Sequence, residues 1–100
     1  MTIKRDTGRH VDRPAPLVAL GQQIRKVRQE RKISQENFAA KAGLARAYYG
    51  GIERGERNVA ALNLMRIAAA LEVEVGALFP RVETLRGLLD GSAGASTDEE

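Results

Sequence analysis

The sequence predicts an all-α fold, and three observations carry that prediction. Apolar residues recur at spacings of three and four through most of residues 17–90, the signature of helices with one buried face. Ser34 and Gly43 bracket a short amphipathic stretch with a helix cap at one end and a helix stop at the other. The composition is aliphatic, 43 % hydrophobic with only two Tyr and two Phe, as in a small helix bundle, and 100 residues leave room for one domain.

The elements follow in order. Residues 1–16 mix charges without apolar periodicity and end in Pro14 and Pro16, which favour an extended backbone. They read as a flexible basic arm, either a plain disordered terminus or one whose Lys4, Arg5, Arg9 and Arg13 meet a polyanion. Over residues 17–32, Leu17, Leu20, Ile24 and Val27 form the buried stripe of a first helix, while Arg25, Lys26, Arg31 and Lys32 take other faces. Arg28 lies beside the stripe and needs a partner. Ser34 caps a second helix from Gln35 to Lys41, Gly43 stops it with positive φ, and Leu44 drops into the core. Ala45 and Arg46 open a third helix with Tyr49 and Ile52 pointing inward and Arg46, Ala47, Gly50 and Gly51 outward. This helix is intrinsically poor: Ala45 offers no capping oxygen, and each of the two glycines costs about 1 kcal/mol relative to Ala.

Asn58 is placed to cap a fourth helix over residues 60–71, with Leu64, Ile67, Ala68 and Leu71 inward. Residues 75–79 form a short helix that Pro80 closes. Residues 81–90 make one more amphipathic helix through Val82, Leu85, Leu88 and Leu89, and 91–100 read as a disordered acidic tail. The domain proper is therefore 17–80.

Composition removes several functions. The chain has no cysteine, hence no disulfide or cysteine-bearing zinc site, and its one histidine, His10, has no acidic cluster around it. No metal, cofactor or small-molecule site is expected, no nucleophile and base pair is visible, and the protein reads as no enzyme. No apolar run approaches the roughly 20 residues of a membrane span, and the leader lacks the apolar core of a secretory signal, so a cytoplasmic location is expected. Net charge is +3, distributed as +2 over residues 1–16 (four Lys and Arg, two acids), +4 over 17–80 (ten and six) and −3 over 81–100 (two and five). The basic excess lies on the domain and its arm, which suits a polyanion.

Two short helices joined by a tight turn over residues 34–58 form a helix-turn-helix, in which the second helix enters the DNA major groove. The ordered run IRKVRQERKISQENFAAKAGL, YYGGIERGERN and LNLMRIAAALEV resembles the five-helix DNA-binding domain of phage repressors and the XRE family, and within it most closely the controller proteins of restriction-modification systems. It covers about 60 residues. The resemblance implies a homodimeric transcription regulator on a palindromic operator in double-stranded DNA. It places base reading at Arg46 and Ala47, with Gly50 and Gly51 on the same surface, and backbone contacts at Ser34, Gln35, Tyr48, Arg57 and Asn58. It implies a structural ion pair between Arg28 and Glu53. It also places a dimer surface on Val75, Leu78 and Phe79, against the alternative that these close the core. The stripe of Leu85, Leu88 and Leu89 enlarges that interface. Controller proteins usually end near the equivalent of Phe79, so the helix over 81–90 is an addition.

Three other readings stay open on sequence. A phage-type or stress-response repressor carries the same motif. An antitoxin would bind a toxin through the 81–90 helix, and a protein-interaction adaptor would have lost DNA binding through its glycine-rich third helix.

Overall fold

The computed structural model describes residues 13–96. The reading of residues 1–12 as an arm, with Lys4, Arg5 and Arg9, and of the last four residues as a tail falls outside them. Among these residues five α-helices and one short 3₁₀ helix follow one another: α1 Ala15–Glu30, α2 Gln35–Ala42, α3 Arg46–Glu53, α4 Ala61–Leu71, the 3₁₀ helix Val75–Leu78, and α5 Val82–Ser96.

Helix α1 begins two residues before the expected start. Pro14 sits at its cap position and Pro16 lies in the first turn, where a missing N–H removes no intrahelical bond. The helix also ends earlier, because Lys32 takes a left-handed conformation at φ 58° rather than continuing the spiral. The same ending recurs in α1 to α4: Lys32, Gly43, Gly55 and Glu72 all have positive φ. In each case the next residue's amide reaches back five positions, Ile33 to Arg28 O, Leu44 to Ala39 O, Glu56 to Gly51 O and Val73 to Ala68 O, at 2.8–3.3 Å. These are Schellman caps, and after three of the four the chain turns an apolar side chain, Ile33, Leu44 or Val73, onto the core. The repeated device keeps every connection short and folds successive helices back on each other.

The core is a single cluster in which Ile24, Phe38, Tyr49, Ile52, Ile67, Leu71 and Leu78 are fully buried. Phe38 and Tyr49 meet with ring centres 5.2 Å apart and planes tilted by 49°, a favourable aromatic pairing that joins α2 to α3. Helix α1 packs on α3, the 3₁₀ helix and α5. Its Arg31 donates Nε to Leu71 O at 2.9 Å, satisfying a carbonyl at the end of α4, and Gln23 donates to Ala77 O at 3.2 Å.

Three expectations are corrected. Leu78, assigned to a dimer surface, is 0 % exposed within the single chain and closes the core, so it has no surface left to offer a partner. Asn58 does not cap α4: that helix starts at Ala61 with Ala60 at its cap position and no side-chain bond, and Asn58 stays exposed. The helix expected over 81–90 runs on through Ser96, where a disordered tail had been expected. Extending a helix already docked on α1 is far easier than nucleating one, and no proline interrupts residues 91–96.

Candidate nucleic-acid interface

Helix α3 is held by a buried polar network. Arg28 on α1 donates Nε to Glu53 Oε2 at 2.6 Å and Nη2 to Glu53 Oε1 at 3.0 Å, a bidentate pair with both residues buried, 8 % and 6 % exposed. Its remaining terminal nitrogen donates to Ile33 O at 2.8 Å. Glu53 also accepts the Tyr49 hydroxyl from one turn earlier and, at 3.0 Å, the side-chain amide of Gln35 at the start of α2. One carboxylate thus joins α1, α2 and α3. Burial alone would push the Glu53 carboxyl up, but the hydrogen bonds from Arg28, Tyr49 and Gln35 outweigh it and hold the group below its ordinary range. The hydrogen bond to Glu53 raises the Arg28 guanidinium despite its burial, and burial, reinforced by the bond to Glu53, pushes the Tyr49 phenol up. All three therefore keep their neutral-pH states: Arg28 cationic, Glu53 anionic, Tyr49 protonated.

Backbone contact supplements the network. A Cβ on Gly21 of α1 would stand 2.5 Å from Glu53 O, so only glycine lets α1 and α3 come this close.

The outer face of α3 is different in character. Arg46 and Ala47 are exposed at its N-terminal end, and the Arg46 guanidinium lies 3.7 Å from Glu36, a solvent-exposed pairing too weak to hold it. Ser34 caps α2, its hydroxyl accepting the Asn37 amide at 3.0 Å. Tyr48 is half-buried and accepts the Asn63 side-chain amide at 3.2 Å, and the Arg57 guanidinium stands over its ring, 5.9 Å from the centre. Gly50 and Gly51, expected on the open reading surface, are buried. Gly50 lies under Arg54 and Gln35, and Gly51 under Arg57. Without side chains of their own, they are covered by their longer neighbours.

The sequence reading missed the part Tyr49 plays in the network. The signal was present: a tyrosine at an inward position needs a partner for its hydroxyl, and Glu53 follows four residues later on the same face. It also missed the pairing of Arg13 with Glu56 at 2.6 Å, which with the 3.1 Å contact of Arg54 ties the start of α1 to the turn after α3.

Among the candidate dimer residues, Val75, Phe79 and Leu89 expose large apolar surface (38 %, 40 % and 48 %), whereas Leu85 and Leu88 are half-buried. Leu62, Met65 and Val82 are also exposed. Among the described residues no helix is long and apolar enough to cross a membrane, and no group of His, Asp or Glu could hold a metal ion.

A short helix presenting its N-terminal side chains to solvent, locked to its predecessor through a glycine turn, defines a helix-turn-helix DNA-binding domain. The family model described as helix-turn-helix, HTH_3, matches residues 24–78. Control protein C.MunI of Mycoplasma sp. is 42 % identical over 67 residues, covering 66 % of this chain and 90 % of that protein. The crystal structure of the restriction-modification controller protein C.AhdI from Aeromonas hydrophila superposes with a TM-score of 0.62 at 46 % identity, covering 63 % of this chain and 96 % of that one. The controller protein C.Esp1396I, solved as a tetramer with its natural 35 base-pair operator, gives a TM-score of 0.58 at 34 % identity over 73 % of this chain and 92 % of that one. The chain belongs to the helix-turn-helix family HTH_3 and is a transcription regulator of that family, not an enzyme.

Proposed function

We propose that the protein controls a restriction-modification system in the bacterial cytoplasm, binding a palindromic operator in double-stranded DNA as a homodimer. The observation that carries this reading is the free N-terminal end of α3. Arg46 and Ala47 stand exposed there on a helix whose orientation is fixed from behind by Glu53 and Arg28. An arginine fork matches the O6 and N7 acceptors of guanine, and an alanine methyl fits against a thymine methyl. Gln35, Tyr48 and Arg57 flank them as phosphate contacts, with Ser34 and Asn58 at the margin. Gln35 is suited to this because its carboxamide is already oriented by Glu53.

The domain alone offers few contacts, and two copies on two half-sites multiply them. The related controller that assembles as a tetramer on a 35 base-pair operator supports this arrangement. Val75, Phe79 and Leu89, with the flanks of Leu85 and Leu88, are the apolar surface offered to the second copy. Leu78 takes no part.

The test is selection of bound sites from random duplex DNA, followed by titration of salt against affinity for the selected site. A palindromic output with a steep loss of affinity as salt rises supports the reading. A protein-interaction adaptor would give no selected sequence and no salt slope. On the selected site, Arg46→Ala should relax preference at one base position per half-site, whereas equal weakening on all sequences would move Arg46 to the phosphate contacts.

A further inference from the structure

Arg57 lies in a slot. A Cβ built on Gly51 would stand 2.9 Å from Arg57 Cγ and 3.2 Å from its Nε, so the arginine stem occupies the space a side chain at position 51 would need. Beyond the slot the guanidinium stands over the Tyr48 ring. That ring is itself anchored, because Asn63 of α4 donates to its hydroxyl at 3.2 Å and Arg66 donates to the Asn63 carbonyl at 2.8 Å. Arg13 and Arg54 pair with Glu56, but Arg57 has no carboxylate within ion-pair distance among the described residues. Its head group is held by shape and by an aromatic face, and its charge stays available.

Glycine inside an eight-residue helix lowers that helix's own stability, and no positive φ at position 51 demands it. The slot supplies the reason.

We propose that Gly51 is a positioning residue for DNA recognition: its missing side chain lets Arg57 lie flat along α3 against Tyr48, already set to meet the DNA strand that flanks the reading helix. Gly51 itself touches no base. An unrestrained arginine would lose side-chain freedom on binding, and one lodged between the slot and the ring has lost much of it beforehand. The inference rests on the DNA-binding reading above.

The test compares Gly51→Ala, Arg57→Ala and the double variant with the wild-type chain. Three quantities are read: thermal midpoint, affinity for the selected operator, and the NMR shift of the Arg57 Nε–H in the free protein. Gly51→Ala should raise the midpoint by a few degrees through helix propensity while weakening operator binding about tenfold, a difference of 1.4 kcal/mol. Arg57→Ala should weaken binding at least as much, and the double variant should be no weaker than Arg57→Ala alone. In the wild type the Arg57 Nε–H, next to the guanidinium carbon over the Tyr48 ring, should be shifted upfield, and in Gly51→Ala that shift should vanish. Wild-type binding by Gly51→Ala, multiplying losses in the double variant, or a lowered midpoint would overturn the proposal. So would the absence of a ring shift in the wild type, which is read without DNA. A wild-type chain that selects no DNA would sink the DNA-binding reading instead.

Discussion

Replacing Glu53 by Gln tests whether the polar network holds α3 in place. The substitution keeps size and shape but removes the charge and turns one acceptor into a donor. The carboxylate takes four hydrogen bonds, two from Arg28 and one each from Tyr49 and Gln35. An amide cannot accept all of them, and its NH₂ would face donors. Arg28, 8 % exposed, would keep only Ile33 O and one amide oxygen around a charge that needs a counter-ion. Breaking a buried pair from one side costs about 3–5 kcal/mol, and the surviving bonds to Arg28 place this case near the lower end. For a domain of this size that lowers the thermal midpoint by roughly 12–24 °C. Circular dichroism melts with parallel urea titrations measure it. A companion variant, Arg28→Met with Glu53→Leu and Tyr49→Phe, removes the charges and the buried hydroxyl together and should recover much of the loss. Wild-type stability in Glu53→Gln would refute the reasoning. A companion no more stable than Glu53→Gln would show that the cost is lost packing rather than a stranded charge.

Other consequences can be measured directly. Because the folded-state pKa of Glu53 lies below its ordinary 4.5, the stability it confers is complete above that value and is lost as pH falls through the folded pKa. Urea midpoints followed from about pH 6 to pH 2.5 should therefore decline more steeply in the wild type than in Glu53→Gln, and parallel curves would remove Glu53 as the cause. Leu78→Ala should cost about 2–5 kcal/mol as a core cavity and leave dimerisation of the remaining folded protein unchanged. A folded, monomeric variant in light scattering would return Leu78 to the interface. Glu72→Gly should stabilise by about 0.5–1 kcal/mol, since glycine occupies the left-handed cap at φ 62° without a Cβ penalty; a lowered melting point would show that the Glu72 side chain matters to the fold.

What could be read from the chain depended on how local the signal was. Ser34 and Gly43 announced α2 because each acts on its own backbone, the one through a hydroxyl on Asn37 and the other through positive φ. The stripe of Leu20, Ile24 and Val27 was equally legible, since two turns of repeat at spacings of four and three leave one inward face. Leu78 was ambiguous for the opposite reason: a four-residue 3₁₀ helix has no period to show which side faces in, and only packing against α1 and α4 decides. Lys32 and Glu72 gave no warning of their left-handed caps, because neither residue type favours that conformation and the downstream apolar contact imposes it. At the start of α3, the exposure of Arg46 and Ala47 was legible from their outward positions. The covering of Gly50 and Gly51 was not, because it is set by where the side chains of Gln35, Arg54 and Arg57 come to rest.

Helix α3 has eight residues, no side-chain cap and two internal glycines, so as a free peptide it would be almost entirely coil. It exists only while α1 and α2 are docked against it. The exposed end of α3 is thus a property of the finished tertiary structure, and if it reads DNA as proposed, a molecule that has lost part of its fold does not bind with reduced fidelity but presents no reading surface at all. On the proposed function recognition would switch with folding as a unit, and hydrogen exchange at the α3 amides should report the same opening free energy as the core, without a separate, weaker step of local fraying.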